Sequence, residues 1–463
     1  MTAQLLELLP HLALAAGGLA VLGAAMVFRR PPQGLLPALA AAFALIPGLW
    51  AFWPDIPASG MTRFFAGLLC GVTLATIGQL ARYADRRGFG GDALYGLLLW
   101  SALGMLLLAE ATNWIMLLLG LELASLCLYA LVAARLDDGL GAEAALKYFL
   151  PGAMALATLV FGISLMYAGS GSLDITESLA AGGPIVAAGL ALALIGIGFK
   201  LSLAPVHLWT PDVYQGAPAP IAAFLSTGSK AAAAAALLHL VADASPEAME
   251  ILVPALLAIA GLTMAAGNIG ALCQKSVKRL LAFSSIAQMG YVAMAALAVA
   301  DGGGEAALFY LGAYALMDLG AFGAVGTLSG ERADRDAIES YRGLGYVHPW
   351  RAGVLTICLL SLAGLPPTAG FIGKFLVFGA ALRAGYTTLA VFGILMAVIG
   401  VFYALRVVAT LYMRETVEAY PAVPTPAGPA AGLTLWAVAA GILVLGLFPG
   451  PLIAAITRLV GVE

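Results

Sequence analysis

A chain of 463 residues that is 62% hydrophobic and only 10% charged, with a mean hydropathy of +0.99, falls outside the composition of soluble domains and reads as an all-α polytopic membrane protein. The net charge of −3 comes with no basic patch, which argues against nucleic acid as a partner and leaves the lipid bilayer as the surroundings. Cys70, Cys127, Cys273 and Cys358, like His11, His207, His239 and His348, are too dispersed for an iron–sulfur, zinc or haem site, so the cysteines read as buried small hydrophobes and no metal is expected.

About fourteen apolar runs of roughly 20 residues follow one another, each long enough at about 1.5 Å per residue to cross a hydrocarbon core of about 30 Å. The first begins near Leu12, without a basic segment before it and with Arg29 and Arg30 behind it, the reverse of a cleavable signal, and is expected to be retained. Once the runs are numbered, sixteen of the 22 basic residues lie in or beside loops that follow odd-numbered runs. Arg63, Arg383 and Arg458 lie on the other side, and Lys200, Lys230 and Lys374 lie inside runs. This positive-inside bias predicts cytoplasmic odd loops and extracytoplasmic termini.

Charges inside lipid cost about 2.5–3.5 kcal/mol each on insertion scales, so those within runs are candidates for function. In the fifth run Glu122 stands eight residues after Trp114, an expected interfacial anchor, and so about 12 Å deep. Lys147, at the cytoplasmic end of the sixth run, reads as an anchor or as a point of proton uptake. The seventh run starts near Gly183 and reaches Lys200, then Pro205, whose missing N–H breaks the helical ladder beside that lysine. His207 lies in the broken segment, able to pack there or to bridge Lys200 and Lys230 through water, and Asp212 after Pro211 reads as a cap or turn.

Lys230 follows Pro220, a helix start, by ten residues, which is about 15 Å and hence near the midplane. Asp318 stands twelve residues into the run from about Ala306, also near mid-membrane. The charged stretch between Gly330 and Arg351 reads as a solvated loop. A second broken run carries Gly364-Leu365-Pro366-Pro367, with Lys374 seven residues after Pro367, and Pro421 to Pro429 reads as a flexible connector. Either break is open to reading as a simple kink, but each adjoins a lysine, and transporters place coupling sites at such breaks. Burial and mutual proximity act oppositely on a deep Glu–Lys pair, so such a pair can change protonation when a neighbouring charge moves.

The segment FKLSLAPVHLWTPDVYQGAPAP from Phe199 to Pro220, LSTGSK ending at Lys230, LLGLE ending at Glu122 and GLPPTAGFIGKF from Gly364 to Phe375 resemble the antiporter-like subunits of respiratory complex I. KYFLPGA from Lys147 and LGLFPGPL from Leu445 resemble its subunit N family in particular, and Lys374 stands where subunit M usually carries glutamate. The resemblance implies two inverted five-helix repeats with broken helices seven and twelve. It divides the chain into an N-terminal three-helix part (1–90), a first repeat of helices four to eight (91–245), a second of helices nine to thirteen (246–415), and a connector with the last helix (416–463).

It further implies a proton-translocating subunit of NADH:quinone oxidoreductase in the bacterial inner membrane, beside subunits M and K. Glu122 and Lys200 would be the input pair, Lys230 the relay and Lys374 the outlet. NADH, FMN, iron–sulfur clusters and quinone would belong to partner subunits, with no cofactor in this chain. Three positions depart from the family: Gln288, in SSIAQMGY, where histidine is frequent; Ala219 in place of threonine; and Asp318 where asparagine is expected. Asp318 would pair with Lys374, replace proton-carrying capacity lost at Gln288, or stand as a hydrogen-bonded aspartate. The competing readings are a multi-subunit cation/proton antiporter, an energy-converting hydrogenase, and a scaffold whose charges only fix helix register.

Overall fold

In lipid a backbone satisfies its polar groups within helices or closed barrels. The computed structural model of this chain takes the helical solution, the only β geometry among the described residues being two isolated bridges. The structure describes residues 2–28, 31–32, 34–53, 58–89, 93–135, 137–330, 333–413 and 428–460. Arg29, Arg30, Arg332, Arg414 and most of the Pro421–Pro429 connector therefore lie outside the described residues.

Among the described residues eleven helices are long and apolar enough to cross a membrane. They are spans one (Thr2–Val27), three (Gly60–Arg87), five (Trp114–Val132), six (Gly139–Ser170), the first part of seven (Gly183–Leu201), eight (Ala219–Ala242), nine (Pro246–Leu272), ten (Val277–Leu297), eleven (Gly303–Leu328), thirteen (Thr387–Leu411) and fourteen (Pro429–Leu447). Shorter apolar helices, Leu35–Ala51 and Leu94–Ala109, are spans two and four, and span twelve is built from Pro349–Ala363 and Ala369–Arg383. Thr210–Gly216 completes span seven. Span one starts earlier than its apolar run, with Pro10 inside the helix. The starts of spans three, five, nine and ten are capped by Ser59, Asn113, Ser245 and Ser276, whose side chains accept from the amides of Thr62, Met116, Ala248 and Arg279.

The two halves of the chain repeat each other in their irregular backbone. Before span five, Thr112 O and Trp114 N bond Ile175 N and Leu173 O; before span ten, Lys275 O and Val277 N bond Ile338 N and Asp336 O. The breaks match as well. Span seven ends with Ser202 in the left-handed region and Leu203 N on Gly198 O at 2.8 Å, while the first part of span twelve ends with Gly364 left-handed and Leu365 N on Leu360 O at 3.0 Å. A cis X–Pro bond follows each. Both proline-marked interruptions are thus full stops of the helix, not kinks.

Spans eight, ten and eleven form the core, with 100%, 94% and 89% of their apolar windows buried, against 28% for span fourteen and 33% for spans six and nine. Outer spans close on one another through glycines, as where spans six and seven meet: a Cβ on Gly162 would come within 2.7 Å of Gly189 O. Three cysteines are buried as expected, but Cys273, at the end of span nine, is exposed.

Candidate functional site

Lys200 ends the first part of span seven because the helix stops there, and the stop leaves its side chain among side-chain hydroxyls. Its Nζ donates to Ser125 Oγ at 2.8 Å and to Tyr148 Oη at 2.9 Å, and it is 1% exposed. Tyr148 is fixed by stacking on Trp209, ring centroids 4.5 Å apart, and Trp209 Nε1 donates to Phe199 O across the break. A void of about 10 Å³ beside Lys200, lined also by Ser125 and Tyr129, is on the scale that admits one water. Glu122, half-buried, stands three residues before Ser125. Among the described residues no ion pair joins it to Lys200, whose Nζ contacts Ser125 instead. Trp114, expected at the interface, is instead buried and donates to Ser178.

Span eight is interrupted by a π-helical turn, Leu225–Ser229, immediately before Lys230. Such turns are frequent at functional sites. Lys230 Nζ donates to Ser285 Oγ of span ten at 2.5 Å, Ser285 Oγ lies 2.6 Å from Tyr314 Oη of span eleven, and Tyr314 donates to Asp318 Oδ2 at 3.0 Å. Tyr314 has one proton and commits it to Asp318, so Ser285 must donate to Tyr314 and receive from Lys230. Every donor in the row points from the ammonium to the carboxylate. Asp318 is fully buried, and its Oδ1 has no hydrogen-bond partner within normal geometry among the described residues. Asp318 therefore stands with Lys230, not with Lys374.

Lys374 reaches back to the first part of span twelve and donates to Leu362 O at 2.7 Å and Ala363 O at 3.2 Å, carbonyls that the helix stop leaves free. Gln288 Nε2 shares Leu362 O at 3.3 Å, its Oε1 accepts from Tyr310, and Ser284 joins it to Tyr403. Ser284 and Ser285 are neighbours on span ten, so the Lys230 row and the Lys374 group sit side by side. His207 is half-buried in the first break, beside the Pro205 backbone and within the field of Lys230.

The basic end of the bundle holds a cluster that spacing along the chain could not reveal. Lys147 pairs with Glu143 at 2.6 Å and with Asp212 at 2.8 Å, and Arg279 closes on the same carboxylate. Asp212 thus takes two cations instead of capping or turning the chain. Asp334 receives Arg87 at 2.7 Å, Lys278 at 3.1 Å, the Tyr83 hydroxyl at 2.9 Å and the Ala219 amide at 3.1 Å. Burial alone would raise this carboxyl, but Lys278 and Arg87 outweigh it and hold it down at about 2. Arg335 is 9% exposed, with Nε on Leu328 O at 2.8 Å. The stretch expected as a solvated loop is therefore partly buried, because its charges neutralise cations from spans three and ten. A polar cavity of about 100 Å³ adjoins it, lined by Arg135, Asp138, Gln215, Lys278, Asp334 and Asp336.

Residues 111–400 match the transmembrane family described as NADH:quinone oxidoreductase/Mrp antiporter. The chain is 70% identical to NADH-quinone oxidoreductase subunit N 1 of Solidesulfovibrio magneticus, with 100% of each chain covered. Among solved structures it is similar to a chain of respiratory complex I from Thermus thermophilus with bound aureothin, at a TM-score of 0.83 and 36% identity, covering 96% of this chain and 99% of that one. A chain of the Mrp complex from a Dietzia species, 19% identical with a TM-score of 0.79 over 99% and 98% of the two chains, shares the fold. With the repeated breaks, the buried lysines and these likenesses together, the chain belongs to the antiporter-like subunit N family of NADH-quinone oxidoreductase.

Proposed function

We propose that this chain moves protons across the bacterial inner membrane as an antiporter-like subunit of a membrane arm, coupled to redox chemistry carried by partner subunits that hold NADH, FMN, iron–sulfur clusters and quinone. Subunits M and K are the neighbours this reading expects, the basic end faces the cytoplasm, and both termini face away from it. The observation that carries the proposal is the buried row Lys230–Ser285–Tyr314–Asp318, with all its donors aimed one way.

A proton leaving Lys230 would enter the Ser285 hydroxyl as that hydroxyl's own proton passes to Tyr314, and Tyr314's passes to Asp318. Lysine and aspartate both end neutral. A neutral pair and an ion pair cost differently in a low-dielectric core, so a charge arriving nearby can tip the balance. In this reading Glu122 and Lys200 load the row from one side, with His207 between Lys200 and Lys230. Lys374 discharges it on the other, and Gln288 orients the handover without titrating. Lys147 and the polar cavity at the basic end lead toward uptake.

Proton uptake by vesicles containing the intact complex tests this, wild type against Lys230→Ala, with assembly and quinone reduction measured in parallel. Loss of a positioned proton-transfer group should lower pumping by at least about a hundredfold. Unchanged pumping at unchanged turnover in an assembled variant would reduce Lys230 to a structural charge and overturn the reading.

A further inference from the structure

Spans two, three, eleven and fourteen leave an apolar groove of about 720 Å³. Small residues shape it: Gly67, Gly71 and Ala75 recur every fourth position along span three, and Gly312, Ala315 and Ala437 face them. A Cβ on Gly71 would meet nothing within 4 Å, so the groove is open space and not a helix contact. Toward the basic end, next along span three, lies a small second cavity of about 30 Å³ lined by Gln79, Arg82, Arg86, Arg87 and Thr327.

That chamber is unbalanced in charge. Arg87 is committed to Asp334, but among the described residues Arg82 and Arg86 have no ion pair. Asp85, on the same turn, makes no ion pair with either arginine among the described residues. Between the chambers Gln79 is 4% exposed, donates to Leu319 O at 3.0 Å and leaves its Oε1 without a partner. From Gln79 to Arg86 along the helix is about 10 Å. An acyl-length apolar slot, then a buried amide, then two arginines with no ion pair among the described residues is the polarity sequence of an anionic phospholipid from tail to headgroup.

We propose that this groove is a binding site for one anionic glycerophospholipid, its acyl chain along Gly67, Gly71 and Ala75, its ester carbonyls at the amide N–H of Gln79, and its phosphate on Arg82 and Arg86. Charge complementarity selects a lipid over an apolar helix, since a partner helix would leave both guanidinium groups unanswered.

The test uses the intact complex in phosphatidylcholine nanodiscs with a phosphatidylglycerol probe carrying a photoactivatable diazirine on its acyl chain. Labelled peptides should map to spans three, eleven and fourteen, and unlabelled phosphatidylglycerol should compete at least roughly tenfold better than phosphatidylcholine. The double variant Arg82→Gln/Arg86→Gln should keep labelling but lose that preference. Gly71→Phe, which fills open space, should lose labelling while the complex still assembles. No labelling, equal competition by phosphatidylcholine in the wild type, a preference that survives loss of both arginines, or crosslinking of Gly71→Cys to a neighbouring subunit would each overturn the site.

Discussion

The two helix breaks share a backbone and differ in chemistry. At the first, the lysine belongs to the helix that stops, and its ammonium rests on two hydroxyls, Ser125 and Tyr148. At the second, the lysine comes from the helix that starts, and its ammonium rests on two main-chain carbonyls, Leu362 and Ala363. A hydroxyl accepts and donates, so it can pass a proton on; a carbonyl only accepts. In the proposed proton route, equal backbones would therefore support unequal tasks, handing over in place at Lys200 and holding until the side chain leaves at Lys374.

The halves also differ at the paired bridges, where the second loop carries Asp334 into a buried cation pair and, among the described residues, the first carries no equivalent. Asp334→Asn would leave Arg87 and Lys278 buried without their counter-charge, a loss of about 3–5 kcal/mol. Thermal unfolding of the detergent-solubilised protein measures it. Because this carboxyl is held at about 2, below the ordinary aspartate value, its stabilisation is complete above pH about 4 and is lost as pH falls toward 2. The gap between wild type and variant should close over that acid window. A gap that does not change with pH would mean that the cluster is held by its neutral hydrogen bonds.

The comparison of breaks predicts the next effect. A guanidinium does not give up its proton, so Lys200→Arg and Lys374→Arg should each lower pumping about a hundredfold in assembled complex. Retained pumping in Lys374→Arg alone would turn the outlet lysine into a fixed charge and split the two breaks further. Tyr148→Phe then removes one of the two hydroxyls at Lys200, with an expected loss of about tenfold; the same change at Tyr310, which touches Gln288 and no lysine, should cost less.

Local signals made the breaks and the lysines legible. Pro205 and Pro366-Pro367 mark the stops, and Lys230 stands ten residues after Pro220 in a helix that starts at Ala219. The hydroxyl row was half visible, since Tyr314 and Asp318 are four apart on one helix face, but Ser285 joins it only because spans ten and eleven meet. Asp334 was read as solvated because its partners, Arg87 and Lys278, are remote in sequence. Glu122 and Lys200 were expected as a pair, and helix spacing could not show that Ser125 would make the contact.

The smallest expected effect sharpens the comparison at the second break. Gln288 joins Tyr310 to Leu362 O, the carbonyl that also holds Lys374. A neutral imidazole offers one acceptor and one donor, so Gln288→His can keep both contacts while adding a group whose ordinary value is near 6.5. Pumping should change by less than about tenfold. Its pH profile between about 5.5 and 7.5 should gain an inflection that the wild type lacks. If the inflection appears, protons pass within reach of residue 288 on their way from the Lys230 row to Lys374; if the profile is unchanged, the handover bypasses span ten and the shared carbonyl at Leu362 serves only to hold the lysine.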